Sequence, residues 1–200
     1  MGKTRLEKAI ATYKSTVPQA EKDTFTITWH PFYLDPTLGK VGVPAQIHMT
    51  NKFGAERVKM MTARLQALGQ TEGIPFASRG PIGHTRDAHR LLQLAKTKGG
   101  DVQNKLVGEL FQAHMEEGMD ITSVDGLVDT AVKAGIDRDE ARRWLEEGKG
   151  GEEVDREVGK AYAKGVNGVP HFTINGKYVL EGAQEPDLFV RTFVRAKAEA

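Results

Sequence analysis

The chain has 200 residues, 28 Lys and Arg against 27 Asp and Glu, a formal net charge of +1 and no cysteine. Without cysteine these residues hold no disulfide framework, no Cys-ligated zinc or iron–sulfur site and no thiol nucleophile. The balanced charge marks neither a nucleic-acid binder nor a membrane-surface protein.

In chain order, Leu6, Ala9, Ile10, Tyr13 and Val17 form an apolar stripe at helical spacing, which Pro18 stops. Thr24 to Trp29 alternates polar and apolar residues and predicts a strand with one buried face. The prolines and glycines from His30 to Pro44 describe a loop. A second helix is expected near 51–68, with Phe53, Met60, Met61, Leu65 and Leu68 inward and Gly69 as its stop. A Gly- and Pro-rich loop follows from Gly73 to Gly83. The next stripes predict a run of helices: Ala88/Leu91/Leu92/Ala95, Val102/Leu106/Leu110/Ala113, Val124/Leu127/Val128/Ala131/Val132, Ala141/Trp144/Leu145 and Val154/Val158/Ala161/Tyr162. Asp137 and Glu140 stand as a capping-box-like pair before the fourth. Strands return at Phe172–Ile174 and Tyr178–Leu180, joined by the hairpin dipeptide Asn175-Gly176. Pro186 opens a last helix, with Phe189, Val190, Phe193 and Val194 as its buried face. Strands at both ends of a helical block predict an α/β domain interrupted by a helical subdomain.

The generic chemical constellations are unconvincing. The six histidines, His30, His48, His84, His89, His114 and His171, include no His-x3-His pair. His84 and His89, five apart, would diverge by about 140° on a helix, so no metal site is expected. The Glu116-Glu117, Glu146-Glu147 and Glu152-Glu153 pairs read as solvated surface. The glycines around 80–83 and 165–168 lack phosphate-loop and dinucleotide endings and read as turns. Met49, Met60, Met61, Met115 and Met119 read as core filling. No apolar run approaches the ~20 residues of a membrane span, and the N-terminus lacks the apolar core of a signal peptide. A cytoplasmic location is therefore expected, with no nucleic-acid or membrane partner.

Gly165-Val166-Asn167-Gly168-Val169-Pro170-His171-Phe172 says more. A proline there, just before a strand, costs no ladder bond. A cis Val169–Pro170 bond would turn Val169 outward and leave its N–H and C=O free for an extended ligand. A trans proline opening the strand is the commoner alternative.

With the hairpin, Gly182-Ala183-Gln184 and the final helix, this segment resembles the C-terminal end of DsbA-family thioredoxin-fold proteins. The closer similarity is to the FrnE-like branch, near the kappa-class glutathione transferases and 2-hydroxychromene-2-carboxylate isomerases. Trp29-His30-Pro31-Phe32-x-Leu34 is similar to the family's Trp-Arg-Pro-Phe-x-Leu. His84-Thr85-Arg86-Asp87-Ala88-His89-Arg90-Leu91 is similar to its Asn-Thr-x-x-Ala-His-Arg-Leu, with His84 replacing the asparagine. Phe111-Gln112-Ala113-His114 through Gly118-Met119-Asp120-Ile121 resembles a helix end in its inserted bundle. Gly2-Lys3-Thr4-Arg5-Leu6-Glu7-Lys8-Ala9 reproduces the residues that follow the family's Cys-Pro-Trp-Cys.

The resemblance implies an α/β, thioredoxin-like fold with an inserted all-helical subdomain. Residues 1–80 and 165–200 would form the discontinuous thioredoxin-like domain and 81–164 the insertion. The family's first strand and redox motif would precede Met1, through a downstream start or a natural short form, so no catalytic residue is expected in this chain. Three functions are compatible with this. In the first, the chain is of thiol–disulfide oxidoreductase type: Val169 and Pro170 hold a peptide or protein thiol substrate, or glutathione as ligand or cosubstrate. Gly182, Ala183 and Gln184 would then offer N–H groups to a carboxylate, although Ala183 and Gln184 depart from the Gly-Ser-Asp of the kappa-class relatives. In the second, a cysteine-free isomerase or transferase acts on a small aromatic or polyketide metabolite, with His89, Arg90, His30 and His171 as its polar groups. The third is a non-catalytic binding protein. No bound cofactor is expected, and a homodimer is allowed for.

Overall fold

The computed structural model describes residues 1–76 and 80–199. Residues 77–79 of the expected Gly- and Pro-rich loop lie outside the described residues. The chain divides into two compact units, Met1–Thr26 with Lys164–Ala200, and Ile27–Ala163. Residues 27–76, assigned above to the strand-bearing part, thus fall in the second unit.

The first unit packs two helices against a hairpin. In α1 (Gly2–Thr16), Leu6, Ala9 and Tyr13 are buried along the expected stripe. In α9 (Pro186–Ala198), proline occupies the first turn and Phe189, Phe193 and Ala196 are buried. Val194, expected inward, is exposed, because it lies 100° around the helix from Phe193. Tyr13 holds the layer together: its ring meets Phe25 and Phe193 edge-on, each at 5.6 Å, while Phe172 meets Phe189 at 4.9 Å. The Tyr13 hydroxyl donates to Asp23 at 2.7 Å, and Lys197 reaches the same carboxylate at 2.8 Å. Burial and this carboxylate push the Tyr13 phenol up to about 12.

Strands β1 (His171–Ile174) and β2 (Tyr178–Glu181) pair antiparallel, with Phe172 opposite Leu180 and Ile174 opposite Tyr178. The connection holds Asn175, Gly176 and Lys177, between the strand ends that the sequence reading places at Ile174 and Tyr178. Asn175 and Gly176 both take positive φ, and the Lys177 N–H donates to the Ile174 carbonyl at 3.1 Å.

The strand expected at Thr24–Trp29 does not form a ladder. Its alternation is real: Phe25, Ile27 and Trp29 are half-buried, while Thr24, Thr26 and Thr28 are exposed. Among the described residues, however, the sheet contains β1 and β2 alone. A strand needs backbone partners as well as a buried face. At Trp29 a side chain supplies them, since Gln103 accepts from its N–H and donates to its C=O, both at 3.0 Å.

The second unit contains α2 (Ala45–Phe53), α3 (Ala55–Glu72), α4 (Arg86–Lys98), α5 (Gly100–Met115), α6 (Val124–Lys133), α7 (Arg138–Glu146) and α8 (Gly151–Ala163). The single helix expected near 51–68 is therefore two, broken at Gly54, whose φ of +82° ends α2. Helix α3 also runs through Gly69, where a Cβ would fall 2.5 Å from the Ile74 carbonyl, and ends at Gly73. Met60, expected inward, is 67% exposed, and Met61 and Leu65 are also exposed, because α3 packs mainly against α2. The core lies in α4–α7, with Leu91, Leu94, Leu106, Leu127 and Val128 buried. Ser123 caps α6 by accepting from the Gly126 N–H, and Asp137 caps α7 by accepting from the Glu140 N–H.

Buried Arg90 binds this helical core to the end of α7. Its guanidinium donates to the carbonyls of Lys149, Trp144 and Leu145, each at 2.8 Å, and to Asp87 at 2.7 Å. The Trp144 indole N–H returns a bond to the Arg90 carbonyl at 2.9 Å. Truncation would remove the donor to the Lys149 carbonyl and the second donor to the Trp144 and Leu145 carbonyls, which keep bonds from the Lys149 and Gly148 N–H groups. Arg90→Met is expected to destabilise the protein by about 3 kcal/mol, read as a lower urea midpoint with retained helical circular dichroism. An unchanged midpoint would show that these bonds contribute nothing net.

Candidate functional site

The turn into β1 and the turn out of β2 come together at one end of the hairpin. The Val169–Pro170 bond is cis, as the first of the two sequence readings has it. The Pro170 carbonyl accepts from the Gly182 N–H at 2.8 Å, which makes this pair a hydrogen-bonded rung. By strand alternation, Phe172 and Ile174 also bond toward β2. The backbone groups of Val169, His171 and Thr173 then point to the opposite edge of β1, where the described residues offer no ladder partner. The same end of the hairpin meets the start of α1: a Cβ on Gly2 would lie 2.7 Å from the Pro170 Cγ and 3.3 Å from the Phe172 ring. The first N–H groups of α1 have no intrahelical acceptor, no acidic residue occupies its first turn, and its dipole adds positive potential there.

Gly182, Ala183 and Gln184 are largely occupied by the fold. The Gly182 N–H serves Pro170, and the Gln184 N–H donates to the Gly182 carbonyl at 2.9 Å. The Gln184 side chain donates to the Glu181 carbonyl at 2.6 Å. Arg5, buried in α1, donates to the Ala183 carbonyl at 2.7 Å and pairs with Glu185 at 2.7 Å. The turn is thus clamped from α1, a role that no spacing in the sequence announced. Glu185 and Asp187 flank the start of α9, so its field there is partly offset by carboxylates.

His89 belongs to the other unit and has its own surroundings. Its Nε2 lies 3.1 Å from the Phe32 carbonyl, which assigns the proton to Nε2. Nδ1 is buried with no hydrogen-bond partner among the described residues. Tyr33 packs against both His84 and His89, donates to Asp155 at 2.9 Å, and shares that carboxylate with Arg86. The adjacent guanidinium holds Asp155 below the usual carboxylate range. Of the other polar groups considered for a small-molecule pocket, Arg90 is committed to carbonyls, His30 sits at the surface against Glu157 at 2.7 Å, and His171 starts β1.

Three comparisons bear on this arrangement. The model of the DSBA-like thioredoxin domain family matches residues 1–194. The crystal structure of a probable DsbA oxidoreductase from Streptomyces coelicolor is similar at 29% identity and a TM-score of 0.86, over the whole of this chain and 84% of that one. No functionally curated protein matches. The fold is thus thioredoxin-like, mostly helical with a small two-stranded sheet among the described residues, and the chain carries no cysteine.

Burial lowers the His89 imidazole to about 4. The folded protein therefore keeps it neutral, while the unfolded chain takes up a proton as pH falls through about 6.5. Its contribution is intact above pH 6.5 and is lost as pH falls toward 4, by about 3 kcal/mol in all. Urea denaturation across that window is expected to show this loss. His89→Gln, which keeps a donor for Phe32, should flatten the slope; a slope unchanged in the variant would remove His89 as its cause.

Proposed function

Because the chain belongs to the DsbA-like thioredoxin-domain family, we propose that it docks extended polypeptides carrying a thiol or disulfide along the edge of β1 that has no ladder partner among the described residues. The observation that carries this reading is the outward row of backbone groups at Val169, His171 and Thr173, which begins where α1 starts against Pro170. An extended chain laid there gains main-chain hydrogen bonds whatever its side chains. The potential at the start of α1 favours a thiolate next to that chain. Disulfide exchange needs an attacking thiolate, and these 200 residues contain none. On this reading the sulfur comes from elsewhere, and glutathione is one carrier that would fit as cosubstrate. A FrnE-like, cytoplasmic protein agrees with the motifs, and among the described residues no helix is long and apolar enough to cross a membrane.

The isomerase alternative has less support, because Arg90 spends its donors on carbonyls and the free nitrogen of His89 is buried. Non-catalytic binding differs from the preferred reading only in whether sulfur chemistry follows docking.

Thr173 separates docking from general stability, since its N–H points away from β2 and its side chain is exposed. With a reduced, unfolded cysteine-containing peptide as probe, amide resonances of Val169, His171 and Thr173 are expected to shift. Thr173→Pro should weaken binding at least about tenfold while Thr173→Val keeps it, because proline removes an edge donor. Shifts confined to other segments, or equal binding by both variants, would overturn the proposal. The chain alone is expected to reduce insulin no faster than buffer.

A further inference from the structure

The other edge of the hairpin also has no ladder partner among the described residues, and it borders a groove of different chemistry. Between β2 and α9 runs an open groove of about 320 Å3, floored by Tyr178, Leu180, Leu188 and Thr192 and rimmed by Arg191 and Arg195. The alternation that points His171 and Thr173 out of β1 points the backbone groups of Val179 and Glu181 out of β2. The Glu181 carbonyl is already capped by Gln184. The N–H and C=O of Val179 and the N–H of Glu181 remain for an added strand.

Charge selects the occupant. Lys177 and Arg195 share a single carboxylate, Glu199, and both cations lie over the Tyr178 ring, at 5.4 and 5.1 Å. Arg191 is exposed and makes no ion pair or hydrogen bond among the described residues. The groove lining thus carries two arginines, and among the described residues Arg195 and the neighbouring Lys177 find their carboxylate in Glu199 alone. The Glu181 side chain does not restore the balance, because alternation puts it on the opposite face of β2 from Tyr178 and Leu180. The Tyr178 hydroxyl is buried without a well-formed hydrogen bond, although Glu199 lies nearby.

We propose that this groove binds an extended acidic peptide, which adds a strand to the outer edge of β2, sets apolar side chains on Leu180 and Leu188, and places a carboxylate on Arg191. Main-chain pairing supplies the geometry and the apolar floor and cationic rim supply the selectivity. A second copy of this chain is a poorer occupant, since edge-to-edge pairing of two β2 strands brings two such cationic rims together. The inference does not depend on the function proposed for β1, because it uses the opposite edge.

The test is titration of the isotopically labelled chain with a cysteine-free octapeptide of alternating Val and Glu, and with its Val/Lys counterpart. The acidic peptide is expected to shift the Val179 and Glu181 amides and to bind more weakly as salt rises. Arg191→Glu, at an exposed and unpaired position, should weaken it at least about tenfold and leave the fold unchanged. Val179→Pro should abolish binding by removing an outward donor while sparing the rungs to β1. Equal binding of both peptides, shifts at His171 and Thr173 instead, or protein self-association through β2 would each overturn the proposal. Failure here leaves docking on β1 untouched, because the two proposals are read at different amides, Val179 and Glu181 for this groove and Val169, His171 and Thr173 for the β1 edge.

Discussion

A two-stranded sheet cannot shield a hydrophobic face by itself, and the smaller unit depends on how that shortage is met. Helices α1 and α9 close over the hairpin through one aromatic layer, with Phe172 on Phe189 and Tyr13 between Phe25 and Phe193. Tyr13 carries a polar atom into this layer. Asp23 accepts from its hydroxyl, and Lys197 balances the resulting carboxylate. The arrangement ties α1, the extended segment and the end of α9 to one another. It also sets the geometry of the candidate site, since the placement of α1 brings Gly2 against Pro170 and lets Arg5 clamp the Ala183–Glu185 turn.

The larger unit meets its polar obligations in a different way. Its apolar core is helical, and the carbonyls where α7 ends are gathered by the single guanidinium of Arg90, in addition to the bonds that Lys149 and Gly148 N–H groups make there. Gln103 does the same for Trp29, where a side-chain amide takes the part of a neighbouring strand. Arg90 is one of the polar groups that the sequence offers to a pocket, whereas no sequence pattern singles out Gln103. Both are buried because leaving backbone donors and acceptors unpaired in a dry interior costs more than desolvating one well-bonded side chain.

The hairpin is where structure turns toward function. Its two edges are open on the described residues, yet they differ in chemistry. The β1 edge begins at Pro170 beside the positive end of α1, whereas the β2 edge is partly blunted by Gln184 and bordered by Arg191 and Arg195. Exposed strand edges invite indiscriminate pairing. Here each edge has a local field and a side-chain floor that restrict what pairs with it.

The helical stripes, the cap at Asp137, the helix start at Pro186, the hairpin at Asn175-Gly176 and the family motifs were legible from the sequence, because each is a short-range pattern whose physics is local. The absence of sulfur chemistry within the chain was equally determined by composition. Tertiary structure alone decided the rest. Thr24–Trp29 has the alternation of a strand but no ladder, since pairing depends on a neighbour that no local pattern supplies. Met60 looks like core in a helical stripe and is exposed, since burial depends on which helix faces it. Arg90 and His89 look like available polar groups and are engaged or buried, and Arg5 looks like surface and is a clamp. Sequence spacing sets which residues share a face; only the packed chain sets what that face meets.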